Sequence, residues 1–128
     1  MPKKGKHSVG VARQYSGQLG KQDHCQVAVS LSVATCAASL PVAWQLYLPR
    51  SWCGDGAAEV ARRRAAKVPD DIVFRTKPEI ALGQIPSALA AGIAPGVVLA
   101  DAAYGNSSAF RDGLGALGLN FMVGVQAR

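Results

Sequence analysis

The chain has 128 residues and a mass of 13.3 kDa, with 49% apolar and 17% charged residues. That is one domain's worth of a composition that folds, and it excludes intrinsic disorder and collagen-like repeats. Fourteen Lys and Arg against eight Asp and Glu give a net charge of +6 and a pI of 9.6, which favours an acidic partner such as nucleic acid.

The positive charge falls in two blocks. Lys3, Lys4, Lys6, Arg13 and Lys21 precede the first acid, and between positions 50 and 77 seven basic residues stand against four acidic ones. Within the second block Arg62, Arg63 and Arg64 are consecutive, so on a helix they spread over roughly 200° of its circumference, and one or two of them can face a phosphate backbone. The plainer reading of either block is a solvated basic face. Lys3-Lys4-Gly5-Lys6-His7-Ser8 is a loose likeness of a phosphate loop, because it lacks the full G-x-x-x-x-G-K-[ST] pattern.

Cys25, Cys36 and Cys53 are odd in number and form no C-x-x-C, and the only histidines are His7 and His24. Neither a disulfide framework nor a zinc knuckle is supported. His24 and Cys25 are adjacent, and neighbours on a strand point to opposite faces. The thiols read as reduced core fillers of a cytoplasmic protein. Two stretches, 25–49 and 80–100, lack charge, but polar residues, prolines and glycines interrupt both, so no membrane span is expected. No apolar run follows the basic N-terminus, so no secretory signal is read either.

Taken in chain order, Ser8-Val9-Gly10-Val11-Ala12 is expected as a strand, followed by a polar turn containing Gly17 and Gly20. From Cys25 to Ala34 apolar residues hold the odd positions in strict period two, which predicts a half-buried strand. Val42, Trp44, Leu46 and Leu48 repeat the pattern after a short break, predicting an antiparallel partner. Ala57 to Lys67 is rich in helix formers and stops before Pro69. Thr76-Lys77-Pro78-Glu79 has capping-box spacing and opens a longer helix with Leu82, Ile85 and Leu89 on one face, Pro86 inside it as an expected kink, and Gly92 and Pro95 ending it.

The last third predicts a parallel crossover. Gly96-Val97-Val98-Leu99-Ala100 is an apolar run expected to be buried on both faces, and it ends in Asp101. A turn, 102–106, leads to a helix capped by Ser107 or Ser108, which Gly118 ends, and Leu119, Phe121, Val123 and Val125 alternate as a final strand. The expected architecture is a mixed α/β sheet covered by helices.

Asp101 stands out because ligands gather at the carboxyl ends of parallel strands. Its alternatives are an acid capping the turn before the next helix and a ribose-binding acid, though no G-x-G-x-x-G lies on an earlier strand. Phosphodiester chemistry with two hard cations needs several carboxylates from separate elements, and one aspartate cannot build that site. Asp23, Asp70, Asp71, Glu79 and Asp112 read as solvated or capping groups. With 6% aromatics, a base-stacking platform is not indicated.

Pro2-Lys3-Lys4-Gly5-Lys6-His7-Ser8-Val9-Gly10-Val11-Ala12-Arg13-Gln14-Tyr15, Gly17-Gln18-Leu19-Gly20-Lys21-Gln22, Leu46-Tyr47-Leu48-Pro49 before Trp52, Thr76-Lys77-Pro78-Glu79 and Val98-Leu99-Ala100-Asp101-Ala102-Ala103-Tyr104-Gly105 together resemble the catalytic core of bacterial insertion-sequence transposases of the DDE superfamily. The resemblance implies a ribonuclease H-like fold. It also implies a site of two aspartates and a glutamate holding two Mg²⁺ (or Mn²⁺) ions that cleave and transfer DNA strands.

Asp101 matches the family's second aspartate, in the context hydrophobic-Ala-Asp-x-x-Tyr-Gly, as a catalytic and metal-binding residue. The family's first aspartate lies a few residues before the Pro-Lys-Lys-Gly segment, and its glutamate lies on a helix past the strand that ends near Arg128. The chain is accordingly expected to be an internal fragment, residues 1–128 being a partial catalytic domain, inactive alone as an endonuclease, not binding the family's Mg²⁺ or Mn²⁺ stably, and of marginal stability. Its expected partners are DNA, as transposon ends and target, contacted by Lys3, Lys4, Lys6, Arg13, Lys21, Arg62, Arg63 and Arg64, and the full-length transposase. The alternative is a non-catalytic fragment that binds DNA or transposase and interferes with transposition.

Overall fold

The structure, a computed structural model, describes residues 8–16 and 21–126. Its elements are β1 (Ala12–Ser16), β2 (Lys21–Cys25), β3 (Val27–Ala34), β4 (Ser39–Tyr47), a 3₁₀ turn at Arg50–Trp52, α1 (Ala57–Ala65), α2 (Lys77–Ala90), β5 (Val98–Ala100), α3 (Ala102–Gly105), α4 (Ser108–Ala116) and β6 (Phe121–Val123). The chain divides into two compact units, Met1–Val29 with Gln45–Arg75 and Ser30–Trp44 with Thr76–Arg128.

The mixed α/β class expected from the sequence is present. Among the described residues the strands form three two-stranded sheets, β1 with β2, β3 with β4 and β5 with β6, where the sequence pattern suggested one. No helix among the described residues is long and apolar enough to cross a membrane.

In the first unit the strand expected at 8–12 is a turn, and β1 begins only at Ala12. It pairs antiparallel with β2, Ala12 opposite Cys25 and Ser16 opposite Lys21. The residues 17–20 that join them, with the expected glycine turn, lie outside the described residues. The Gln14 side-chain amide donates to the Cys25 carbonyl at 2.9 Å, which supports a strand pair whose sequence has little apolar alternation.

Val11, Cys25 and Trp52 are fully buried, with Val29 and Val68 nearly so. The buried Trp52 indole needs a partner for its N–H and finds it in the Val11 carbonyl at 2.8 Å. Tyr47 meets Phe74 edge-on at 6.2 Å between ring centroids, and the Arg50 guanidinium lies 4.1 Å over the Phe74 ring. α1 closes through bonds from Lys67 N to the Arg64 carbonyl and from Val68 N to the Arg63 carbonyl, with Lys67 at φ 60°.

In the second unit Thr76 caps α2 as expected, accepting from Glu79 N at 3.3 Å and donating its hydroxyl to Glu79 Oε1 at 3.0 Å. The helix runs through Pro86, which is exposed, to Ala90. Gly92 and Gly118 end α2 and α4 at φ 97° and 71°, a left-handed conformation that favours glycine. Ile85, Phe110 and Leu114 form the core, against which Leu31, Leu82, Leu89, Val98, Ala100 and Val123 pack. Gly113 lets α4 approach α2, since a Cβ there would stand 2.8 Å from Leu82 Cδ2.

β5 and β6 are parallel, Val98 opposite Phe121 and Ala100 opposite Val123, and α3 and α4 lie between them in sequence. The expected burial of β5 on both faces is corrected. Val98 and Ala100 meet the core, but Leu99 and its partner Met122 are each 71% exposed, because the helices of this unit cover one face only. The thiols are also unequal: Cys25 is buried, Cys53 half-buried, and Cys36 exposed in the turn between β3 and β4, so only the first fills a core.

Candidate functional site

β5 ends at Ala100, and Asp101 is the first residue beyond it, at the N-cap of α3. Its backbone is extended, and its Oδ1 accepts from Ala103 N at 3.0 Å. Its carbonyl accepts from Tyr104 N at 3.1 Å and Gly105 N at 2.8 Å. Both the capping and the strand-end readings of the sequence therefore describe the same residue. The carboxylate is exposed, with oxygen lone pairs beyond those the cap uses.

Tyr104 follows on α3, half-buried, its ring tilted against Phe110 at 5.8 Å. Burial, and then the neighbouring Asp101 charge, push its hydroxyl pKa above the usual tyrosine value. Gly105 is buried directly against the carbonyl of Gly124, where any side chain would overlap it. Arg111, from α4, donates to the Gly105 carbonyl at 2.8 Å. Two residues drew no attention in the sequence: the Asn106 carboxamide accepts from Gln126 N at 2.8 Å. The partners are twenty positions apart, and no local pattern joins them.

A hard divalent cation needs several oxygen ligands. Asp101 offers one, and no group of three His, Cys, Asp or Glu residues able to hold a metal occurs among the described residues.

The basic candidates have distinct surroundings. Lys3, Lys4 and Lys6 lie outside the described residues. Arg13 and Lys21 are exposed, and the β1–β2 register puts them on opposite faces of that pair, Arg13 with His24 and Lys21 on the Cys25 face. Arg62 lies 3.8 Å over the Trp52 ring and donates to the Val11 carbonyl at 3.3 Å. Arg63 donates to the Trp52 carbonyl at 2.8 Å and the Gly54 carbonyl at 2.7 Å. Arg64 is 68% exposed and stands 3.6 Å from Asp70, itself open to solvent. Arg62 and Arg63 thus hold their own unit together, and Arg64 points its charge outward. These cations belong to the first unit and Asp101 to the second.

Against known proteins, the family described as DDE superfamily endonuclease matches residues 1–128. A probable transposase for insertion sequence element IS701, from Microchaete diplosiphon, is 34% identical over 126 residues, 98% of this chain. The chain spans 29% of that relative's length. No solved structure matches.

Proposed function

The chain belongs to the DDE superfamily of endonucleases, and from that premise we propose that it is part of an insertion-sequence transposase core in which Asp101 is the second metal-binding aspartate. The observation that carries this is an exposed carboxylate at the carboxyl end of the first strand of a parallel pair, within Val98-Leu99-Ala100-Asp101-Ala102-Ala103-Tyr104-Gly105. Members of the family use divalent metal ions, which activate the attacking oxygen and stabilise the leaving one. Asp101 would be one hard oxygen ligand, and its bond from Ala103 N fixes the carboxylate's direction.

In this reading the β5–β6 pair belongs to a larger ribonuclease H-like mixed sheet. The outward apolar pair Leu99 and Met122 supports it, since parallel strands are ordinarily covered on both faces.

These 128 residues do not by themselves cleave DNA. The support is chemical: clamping two cations takes several carboxylates, and among the described residues no group able to hold a metal stands with Asp101. Incubating the purified chain with supercoiled DNA and Mg²⁺ or Mn²⁺ tests this, and nicking that disappears in Asp101→Ala overturns it.

A second reading is favoured by the charge of +6. The chain then binds DNA or the full-length transposase without chemistry and interferes with transposition. Its DNA affinity would fall steeply with salt and would be indifferent to Asp101→Ala.

A further inference from the structure

The two units differ in charge. The basic excess of six belongs entirely to the first, because in the second Lys77, Arg111 and Arg128 balance Glu79, Asp101 and Asp112. The second unit instead holds ten of the twelve large apolar side chains that stand exposed among the described residues. Nucleic acid is met by cations, so a neutral unit with an apolar surface calls for a different partner.

The part of the β3–β4 ribbon in this unit, residues 30–44, has no charged residue. Leu31 packs on the core, but Val33 beyond it is exposed, as are Leu40, Val42 and Trp44, which share one face of β4 by the alternation of a strand. Val33, Thr35, Ala38, Leu40 and Val42, with Ile93 from the segment after α2, line an open groove of about 360 Å³. Thr35 is the one polar side chain in that lining, and its hydroxyl is engaged in its own turn. It donates to the Ala38 carbonyl at 3.4 Å and accepts from Ala37 N at 3.3 Å and Ala38 N at 3.2 Å. The groove therefore suits a large apolar side chain.

We propose that it receives Trp44 of a second copy of this chain. Trp44 is 61% exposed, two positions from Val42 of the lining, so each copy carries both the groove and the side chain that fills it. A two-fold contact uses the two features reciprocally and closes at two copies. Charge favours the same arrangement: copies with a net charge of +6 repel through their first units, and the uncharged ribbon is where they can approach. A tryptophan entering an apolar pocket buries a large area while its indole N–H can stay at the wet rim. The inference is independent of the reading of Asp101 as a metal ligand.

The test is sedimentation equilibrium of the 128-residue chain over a range of concentrations, freed of nucleic acid and kept in reductant so that the exposed Cys36 cannot link copies. A monomer–dimer equilibrium is expected, with the fluorescence of Trp44 moving to the blue as dimer forms, Trp52 being buried already. Trp44→Ala and Leu40→Lys, both at exposed positions, should each weaken the dimer roughly thirty-fold or more, with far-ultraviolet circular dichroism unchanged. Leu99→Lys, on the exposed face of β5, should leave it intact. Mixing the Trp44→Ala and Leu40→Lys chains should restore part of the association, because such a pair keeps one intact groove facing one Trp44.

A chain that stays monomeric at every concentration overturns the second copy as occupant. A dimer indifferent to Trp44→Ala and Leu40→Lys but lost in Leu99→Lys moves the interface to β5 and β6 and overturns the groove. Failure of the mixture to associate better than either variant alone overturns the reciprocal fit.

Discussion

Arg62 and Trp52 share one acceptor: the indole N–H and the guanidinium both donate to the Val11 carbonyl, at 2.8 and 3.3 Å, while the guanidinium lies 3.8 Å over the indole ring. The contact ties α1 and the 3₁₀ turn before it to the segment preceding β1, 41 and 51 positions away from Trp52 and Arg62. Removing the ring should empty a fully buried site, so Trp52→Ala is expected to cost about 3–5 kcal/mol. Trp52→Phe keeps most of the volume and loses the donor, for about 1–2 kcal/mol. A double-mutant cycle of Trp52→Phe with Arg62→Ala in urea denaturation should return a coupling of about 0.5–2 kcal/mol.

The neighbouring arginines should separate stability from DNA binding. Arg63→Ala leaves the Trp52 and Gly54 carbonyls without their donor, and a cost of about 1.5–3 kcal/mol is expected in urea denaturation. The Arg64 partner Asp70 is exposed and solvent-screened, so Arg64→Ala should shift stability by less than about 1 kcal/mol. If Arg64 meets phosphate, its loss should also reduce the slope of log K against log salt by about 0.9. Fluorescence anisotropy with duplex DNA at several salt concentrations reads the second effect, and an unchanged slope removes Arg64 from the interface.

Lys67 occupies the position after α1 where a left-handed φ of 60° is required. A side chain there crowds its own backbone, and glycine does not. Lys67→Gly is therefore expected to stabilise the chain by about 0.5–1 kcal/mol. The urea midpoint should rise with no change in m, and a falling midpoint would mean that the lysine side chain makes a contact outweighing the backbone strain.

Local chemistry made part of this structure legible. The Thr76 and Glu79 cap, the Ser107 cap, which accepts from Phe110 N at 3.2 Å, and the strand-helix-strand run from Val98 to Val123 all depend on residues a few positions apart. The β1–β2 pair was not legible, because Lys21-Gln22-Asp23-His24-Cys25 has little apolar alternation and the Gln14 contact to Cys25 spans eleven positions. At the candidate site, Asp101 and its capping role were readable from strand and turn patterns. Asn106 and Gly124 were not, because their partners are set by the parallel pairing, and the inward use of Arg62 and Arg63 depends on carbonyls that no sequence pattern marks.

Tyr104 should make stability fall at high pH. Its raised pKa means the folded chain keeps the phenolic proton after the unfolded chain has begun to lose it at the ordinary value of 10.0. The contribution is fully present below that pH and is lost as pH rises from it through the folded value. Tyr104→Phe should flatten the decline in melting temperature above pH 10, though not abolish it, because burial also raises Tyr47. A decline as steep as that of the unsubstituted chain would show that Tyr104 ionises as freely folded as unfolded.

Two glycines in the same stretch should respond oppositely to alanine. Gly115 lies within α4 with nothing within 4 Å of where its Cβ would stand, so Gly115→Ala adds helix propensity without a clash, and a gain of about 0.5–1 kcal/mol is expected. Gly105→Ala drives a methyl into the Gly124 carbonyl, and neither partner is a flexible side chain that can swing away. Overpacking of this kind costs about 1–3 kcal/mol, and the backbone must part at the turn behind Asp101 to relieve it. Thermal melts compare the two directly, and amide shifts at Asp101 and Gly124 should move in Gly105→Ala and stay fixed in Gly115→Ala. A Gly105→Ala chain as stable as the unsubstituted one, with those shifts unmoved, would show that α3 is not seated on the end of β6.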